Sequence, residues 1–175
     1  MGDIIDERKA LLQQKIKINK QKSQRNKLID FLPQDISTVL EKCDLITSPK
    51  LDRVLDEIHQ KWNYELHKEE FVKKYGDFRK EFSWEQEVIQ YMQEIEIEKK
   101  VVCLFLGIDD SPIYLVEGKW VIENFNILWQ SIDNDDLWII SKDFNYGVLV
   151  SRYGGYLEQD PNPKEIFYSI TKWNT

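Results

Sequence analysis

The sequence predicts an α+β protein: a helical N-terminal half leading into a mostly antiparallel sheet with a helix packed on one face. Three observations predict it. Residues 3–30 contain no Pro or Gly and are rich in Lys, Gln, Arg and Leu, all good helix formers. Leu51, Val54, Leu55, Ile58 and Trp62 fall on one face of a helix. From Val101 onward, short apolar runs alternate with turn segments rich in Gly, Pro, Asp and Asn.

The elements follow in chain order. Residues 3–30 form one long basic helix with a thin apolar stripe, Ile5, Leu12, Ile16 and then Leu28–Ile29; its nearly all-polar middle, Lys17 to Lys27, leaves it partly exposed. Phe31, Leu32 and Pro33 break it. Pro33 opens a short helix with Ile36, Val39 and Leu40 on one side. Ser48-Pro49 reads as a helix start, a capping hydroxyl followed by Pro in the first turn. A further short helix is expected over 69–75, stopped by Gly76, and another capped by Ser83 with Gln86 three residues on. Val88, Tyr91, Met92 and Ile95 would be its buried stripe.

The run Val101–Leu106 reads as a central strand with both faces buried, and Ile113–Val116 as its hairpin partner. Residues 119–130 suit either a helix packed on the sheet, striped by Trp120, Val121, Phe125, Leu128 and Trp129, or a strand; both readings stay open. Leu137–Ser141 and Gly147–Arg152 are strands joined by a loop with Asp143, Asn145 and Gly147. Ile166–Ile170 alternates as a strand. The chain divides into residues 1–30, a helical segment 31–99 and a sheet segment 100–175, the last two forming one compact domain.

Charge is uneven along the chain. Residues 1–30 hold eight basic and four acidic side chains, a net of +4; residues 31–100 have a net of −5 and residues 101–175 a net of −6, summing to −7. Complementary charge of this kind speeds and orients association with a basic partner. Nucleic acid is disfavoured as a partner. No apolar run approaches the ~20 residues of a membrane helix, and no signal-peptide stretch opens the chain, so a cytoplasmic location is expected.

Enzyme chemistry finds little support. His59 and His67 lie about 80° and 12 Å apart on a continuous helix, too far for one metal. Cys43 and Cys103 lack metal or redox spacing, and Cys103 sits in the most apolar run, where burial makes a thiol inert. No phosphate-binding Gly loop or nucleophile elbow occurs. Asp133–Asp136 lacks the Gly and distant Glu of a calcium loop. No catalytic residue, cofactor or metal is assigned. The alternatives to a binding protein are a small carboxylate-dependent enzyme and a helical adaptor that oligomerises through residues 3–30.

The segment DLWIISKDFNYGVLVSRYGGYLEQD, residues 136–160, resembles a hairpin of small immunity proteins from bacterial polymorphic-toxin loci. The N-terminal RKALLQQKI and RNKLIDFLPQDI are similar to members of the YxiF-like group from such loci. The resemblance implies a non-enzymatic protein that binds and blocks one cognate toxin domain, and it transfers no active site. A basic, nuclease-like toxin would meet an acidic and aromatic surface, and the expected contacts are Asp133, Asp135, Asp136, Asp143, Tyr146 and Tyr153. Carboxylates would stand in for phosphates, and exposed Tyr rings would supply apolar anchors.

Overall fold

The computed structural model describes residues 2–62, 79–97, 101–107, 111–131, 136–143, 146–154 and 166–174. The expected helix over 69–75, the Asp109–Asp110 turn, Asp133 and Asp135 lie outside these residues. In order come α1 (Gly2–Phe31), α2 (Gln34–Lys42), β1 (Asp44–Ile46), α3 (Lys50–Trp62), β2 (Arg79–Phe82), α4 (Glu85–Glu94), β3 (Val101–Phe105), β4 (Ile113–Glu117), α5 (Gly118–Glu123), α6 (Phe125–Gln130), β5 (Asp136–Ser141), β6 (Tyr146–Gly154) and β7 (Ile166–Asn174).

All seven strands join one sheet in the order β1-β4-β3-β5-β6-β7-β2, every pair antiparallel. The expected strands occupy its centre. Two further strands, β1 and β2, close the edges, and both come from the segment read as helical. The boundary near residue 99 therefore divides no sheet: the five strands after it are flanked on both edges by strands from before it.

Side chains on a strand alternate between faces, so the register sorts the core into two. Val102, Leu104, Tyr114, Val116, Leu137, Ile139, Val148, Val150 and Ile170 line one face. Against it pack Leu28 and Leu32 of α1 and its end, Ile36 and Leu40 of α2, Val88, Ile89 and Met92 of α4, and Val121, Phe125, Leu128 and Trp129 of α5 and α6. Residues 119–130 are thus helical, as two short helices meeting at Asn124.

The second face holds Cys103, Ile113, Trp138 and Ile140, and α3 covers it with Leu51 and Val54. The expected helix packing on one face is present, and a second helical cover lies on the other. The amphipathic stripe of α3 showed that it packs on something, but gave no sign of which face.

Local starts differ in detail. The Ser48–Pro49 peptide is cis, and α3 begins at Lys50, after the proline and not at it. Trp84, not Ser83, precedes α4, and its N–H donates to the Glu87 carboxylate at 3.2 Å, so the reciprocal acid is Glu87 instead of Gln86. Gly107, just beyond β3, has φ of 65°, and an added Cβ would meet the Asp136 carbonyl, so both conformation and space require glycine.

Candidate interaction surface

Among the described residues, the expected contacts Asp136, Asp143 and Tyr146 do not share one surface. Asp136 opens β5 and Asp143 lies in the turn beyond its end, about 20 Å along an extended chain. Asp136 is half-buried and accepts a 2.6 Å hydrogen bond from the Ser151 hydroxyl. Asp143 is exposed and accepts one from the buried Ser141 hydroxyl at 2.6 Å; that same oxygen accepts the Tyr146 N–H at 3.0 Å, which ties the β5–β6 turn together. Tyr146 was expected to be exposed and is not. It is 4% exposed, and its hydroxyl donates to the Glu96 carbonyl at 3.2 Å. It shares the core face with Val148 and Val150, two and four residues on, so it anchors the end of α4 and not a partner. Tyr153 pairs through its backbone with Phe167. Asp133 and Asp135 lie outside the described residues.

An acidic and aromatic surface does exist, on α4. Trp84 is 70% exposed. Trp84 precedes the helix with extended backbone, and the exposed face of the helix that follows carries Glu87, Gln90 and Glu94. The helix carries Glu85, Glu87 and Glu94 and no Lys or Arg. Lys80 of the neighbouring strand stands at the edge of this face, with its ammonium 4.4 Å from the ring centre of Tyr91, which is one helical turn from both Glu87 and Glu94, and 5.2 Å from that of Phe82. Phe82 and Tyr91 pack together at 5.5 Å beneath it. Sequence reading passed over Trp84 because it adjoins a helix cap. Periodicity gives no sign of its exposure, because Trp84 lies four residues before Val88, in line with the buried stripe of Val88, Met92 and Ile95; it stays out of the core because its backbone is extended ahead of the helix.

The sequence's other charged element, α1, is docked by its polar middle. The Gln21 side-chain amide donates to the Ser48 hydroxyl at 2.9 Å and its oxygen accepts the Ser48 N–H at 3.1 Å, both buried. Ser48 in turn donates to Asp52, which pairs with Lys17 at 3.0 Å. Arg25 donates to the Leu40 and Glu41 carbonyls, at 2.9 and 2.6 Å, where α2 ends with unpaired carbonyls. From Asp6 to Ile16 the helix is exposed apart from the half-buried Gln14, including Leu11, Leu12 and Ile16.

Shifted ionisable groups belong to the core, not to a cleft. Burial raises the Cys103 thiol to about 11, eased by Lys142 and Lys50, and the Tyr114 phenol to about 12, eased by the Ser111 side chain and then Arg25. Burial also raises the Cys43 thiol, against the field of Arg25. Thiols held protonated in this way are poor nucleophiles. Among the described residues no group of three or more His, Cys, Asp or Glu could hold a metal, and no helix is long and apolar enough to cross a membrane.

Fold and surface together define a mixed α+β protein that presents an acidic, tryptophan-headed helix on its sheet. The chain belongs to the family described as YokC prophage protein, which it matches over residues 4–172. A relative is the SPbeta prophage-derived uncharacterized protein YokC of Bacillus subtilis (strain 168), 59% identical over 169 residues that cover 97% of this chain and 99% of the relative. No solved structure matches.

Proposed function

We propose that the protein is a non-enzymatic, cytoplasmic binding protein of the immunity class, holding a basic toxin domain against the outer face of α4. The observation that carries this reading is Trp84, 70% exposed at the head of a helix that has acidic residues and no basic ones. A large exposed aromatic ring is costly to leave in water and is enriched among residues that dominate binding. Glu87 and Glu94 around it would steer a cationic surface and imitate the phosphates such a surface binds. The likeness of residues 136–160 to immunity-protein hairpins supports the neutralising role. The exposed Asp143 would be at most a rim contact, and Tyr146 takes no part.

The test pairs the chain with toxin domains encoded beside its gene. Co-production should restore growth, and the purified pair should bind more slowly as salt rises. Trp84→Ala should speed dissociation by at least about tenfold, and Glu87→Lys with Glu94→Lys should slow association. If neither change alters affinity for a bound toxin, the α4 face is the wrong surface. Turnover of a substrate by the purified chain would overturn the non-enzymatic reading.

A further inference from the structure

A helix of 30 residues is about 45 Å long, and the side-chain contacts with the body described for it begin at Lys17. Residues 6–13 are all exposed, with Leu11 and Leu12 each at 59% and Ile16 at 48%. Helical geometry puts Leu12 and Ile16 of this apolar patch, though not Leu11, on the far side from the body. Leu12 and Gln21 are nine residues apart, as are Ile16 and Arg25, which is about 180° around a helix. Gln21 and Arg25 face the body, so Leu12 and Ile16 face away from it.

The flanks of the patch are cationic. Arg8, Lys15 and Lys22 are spaced by seven and run as a nearly straight row beside Leu12 and Ile16, and Lys9 stands on the other flank. All four are exposed. A helix stretch of this length is marginal alone in water, so burial of its apolar stripe would stabilise it. Another α1 is a poor cover, because cationic flanks would oppose cationic flanks. The outer face of α4 is a good one. The helix itself is acidic and without Lys or Arg, Lys80 standing only at its edge, and the face offers an indole for Leu12 and Ile16 to cover and for Lys15 to approach. Its own α1 is not lying on it, since residues 6–13 are exposed in the single chain.

We propose that two copies of this chain associate by laying the free half of α1 of one copy on the Trp84 face of α4 of the other. The proposal rests on reading that face as an interaction surface. In a closed pair each copy gives one arm and receives one. The arm imitates a basic partner, so self-association and toxin binding compete for the same tryptophan.

The experiment is sedimentation of the purified full chain over a range of concentrations and at low and high salt. The expected result is a mass that rises with concentration from 21.0 kDa toward twice that value, with weaker association at high salt. Leu12→Glu with Ile16→Glu, and separately Trp84→Ala, should each raise the concentration for half-association by about tenfold or more. Thermal melting should be unchanged, because all three side chains are exposed. Mixing Arg8→Glu/Lys15→Glu/Lys22→Glu with Glu87→Lys/Glu94→Lys should restore association that each variant lacks alone. A mass of one chain at every concentration overturns the proposal, and so does association indifferent to both the arm and the Trp84 changes. The toxin reading fails separately: it requires the Leu12→Glu/Ile16→Glu chain to keep toxin binding and the Trp84→Ala chain to lose it.

Discussion

The two halves of α1 have similar composition and opposite fates. Residues 6–16 carry three large aliphatic side chains that stay in water, while residues 17–28 are nearly all polar and yet dock. Apolar content therefore does not decide which half is held; the partner does. Gln21 and Arg25 find backbone groups left unpaired by neighbouring elements, the Ser48 N–H and the last carbonyls of α2. A buried backbone group without a partner costs free energy, so a side chain that satisfies it holds the helix as firmly as a leucine would. Leu28 and Leu32 then extend the contact into the main core.

The sharpest way to break this comparison is a leucine in each half. Leu28→Ala removes a buried side chain from the core and should cost about 2–5 kcal/mol. Leu12→Ala, at low protein concentration, should leave stability within about 0.5 kcal/mol. Denaturant melts of the two variants decide it. Equal losses would mean that the first half also packs on its own body.

Gln21→Ala tests whether polar docking matters as argued. It leaves the buried Ser48 N–H without its acceptor, and the expected cost is about 1–3 kcal/mol. Amide exchange should report the same change locally, with protection lost along residues 17–25 before the sheet opens. A loss under ~0.5 kcal/mol would show that water replaces the amide readily.

These two halves also show what was legible in the sequence. Helix over 3–30, the break at Pro33, the stripe of α3 and the central strands follow from periodicity, which is local. Docking by Gln21 is not local: its partner is 27 residues away, and a polar run carries no sign of it. β1 and β2 were missed because three or four residues are too short for a period of two, and Arg79-Lys80-Glu81 is polar on both faces of an edge. Tyr146 was misread although its parity with Val148 and Val150 was on view; the adjacent turn suggested exposure. Trp84 needed the exact start of α4, and helix ends are poorly marked by propensity.

Lys17 offers a smaller effect at the boundary of the halves. Its ion pair with Asp52 is 3.0 Å long, but both side chains remain about half exposed. Solvent screens such a pair, so Lys17→Ala should cost about 0–1 kcal/mol, and less as salt rises. Asp52 also accepts from Ser48, and a larger, salt-insensitive loss would show that Lys17 supports that buried link.

A small effect is expected even from the largest change. Deleting residues 1–18 removes the exposed stretch of the helix together with the half-buried Gln14 and Ile18 and the Lys17 ion pair. Gln21, Arg25, Leu28 and Leu32 all remain. Asn19 then stands at the new start, a residue suited to capping the N–H groups the cut exposes. At low concentration the shortened chain should melt cooperatively, within about 1 kcal/mol of the full chain. The same deletion removes Leu12, Ile16 and the cations at positions 8, 9 and 15, so its sedimentation should stay at one chain at every concentration. Stability and association thus separate in a single variant. A shortened chain that fails to fold would place the first half of α1 in the body, and the division of this helix into a docked half and a free arm would fall.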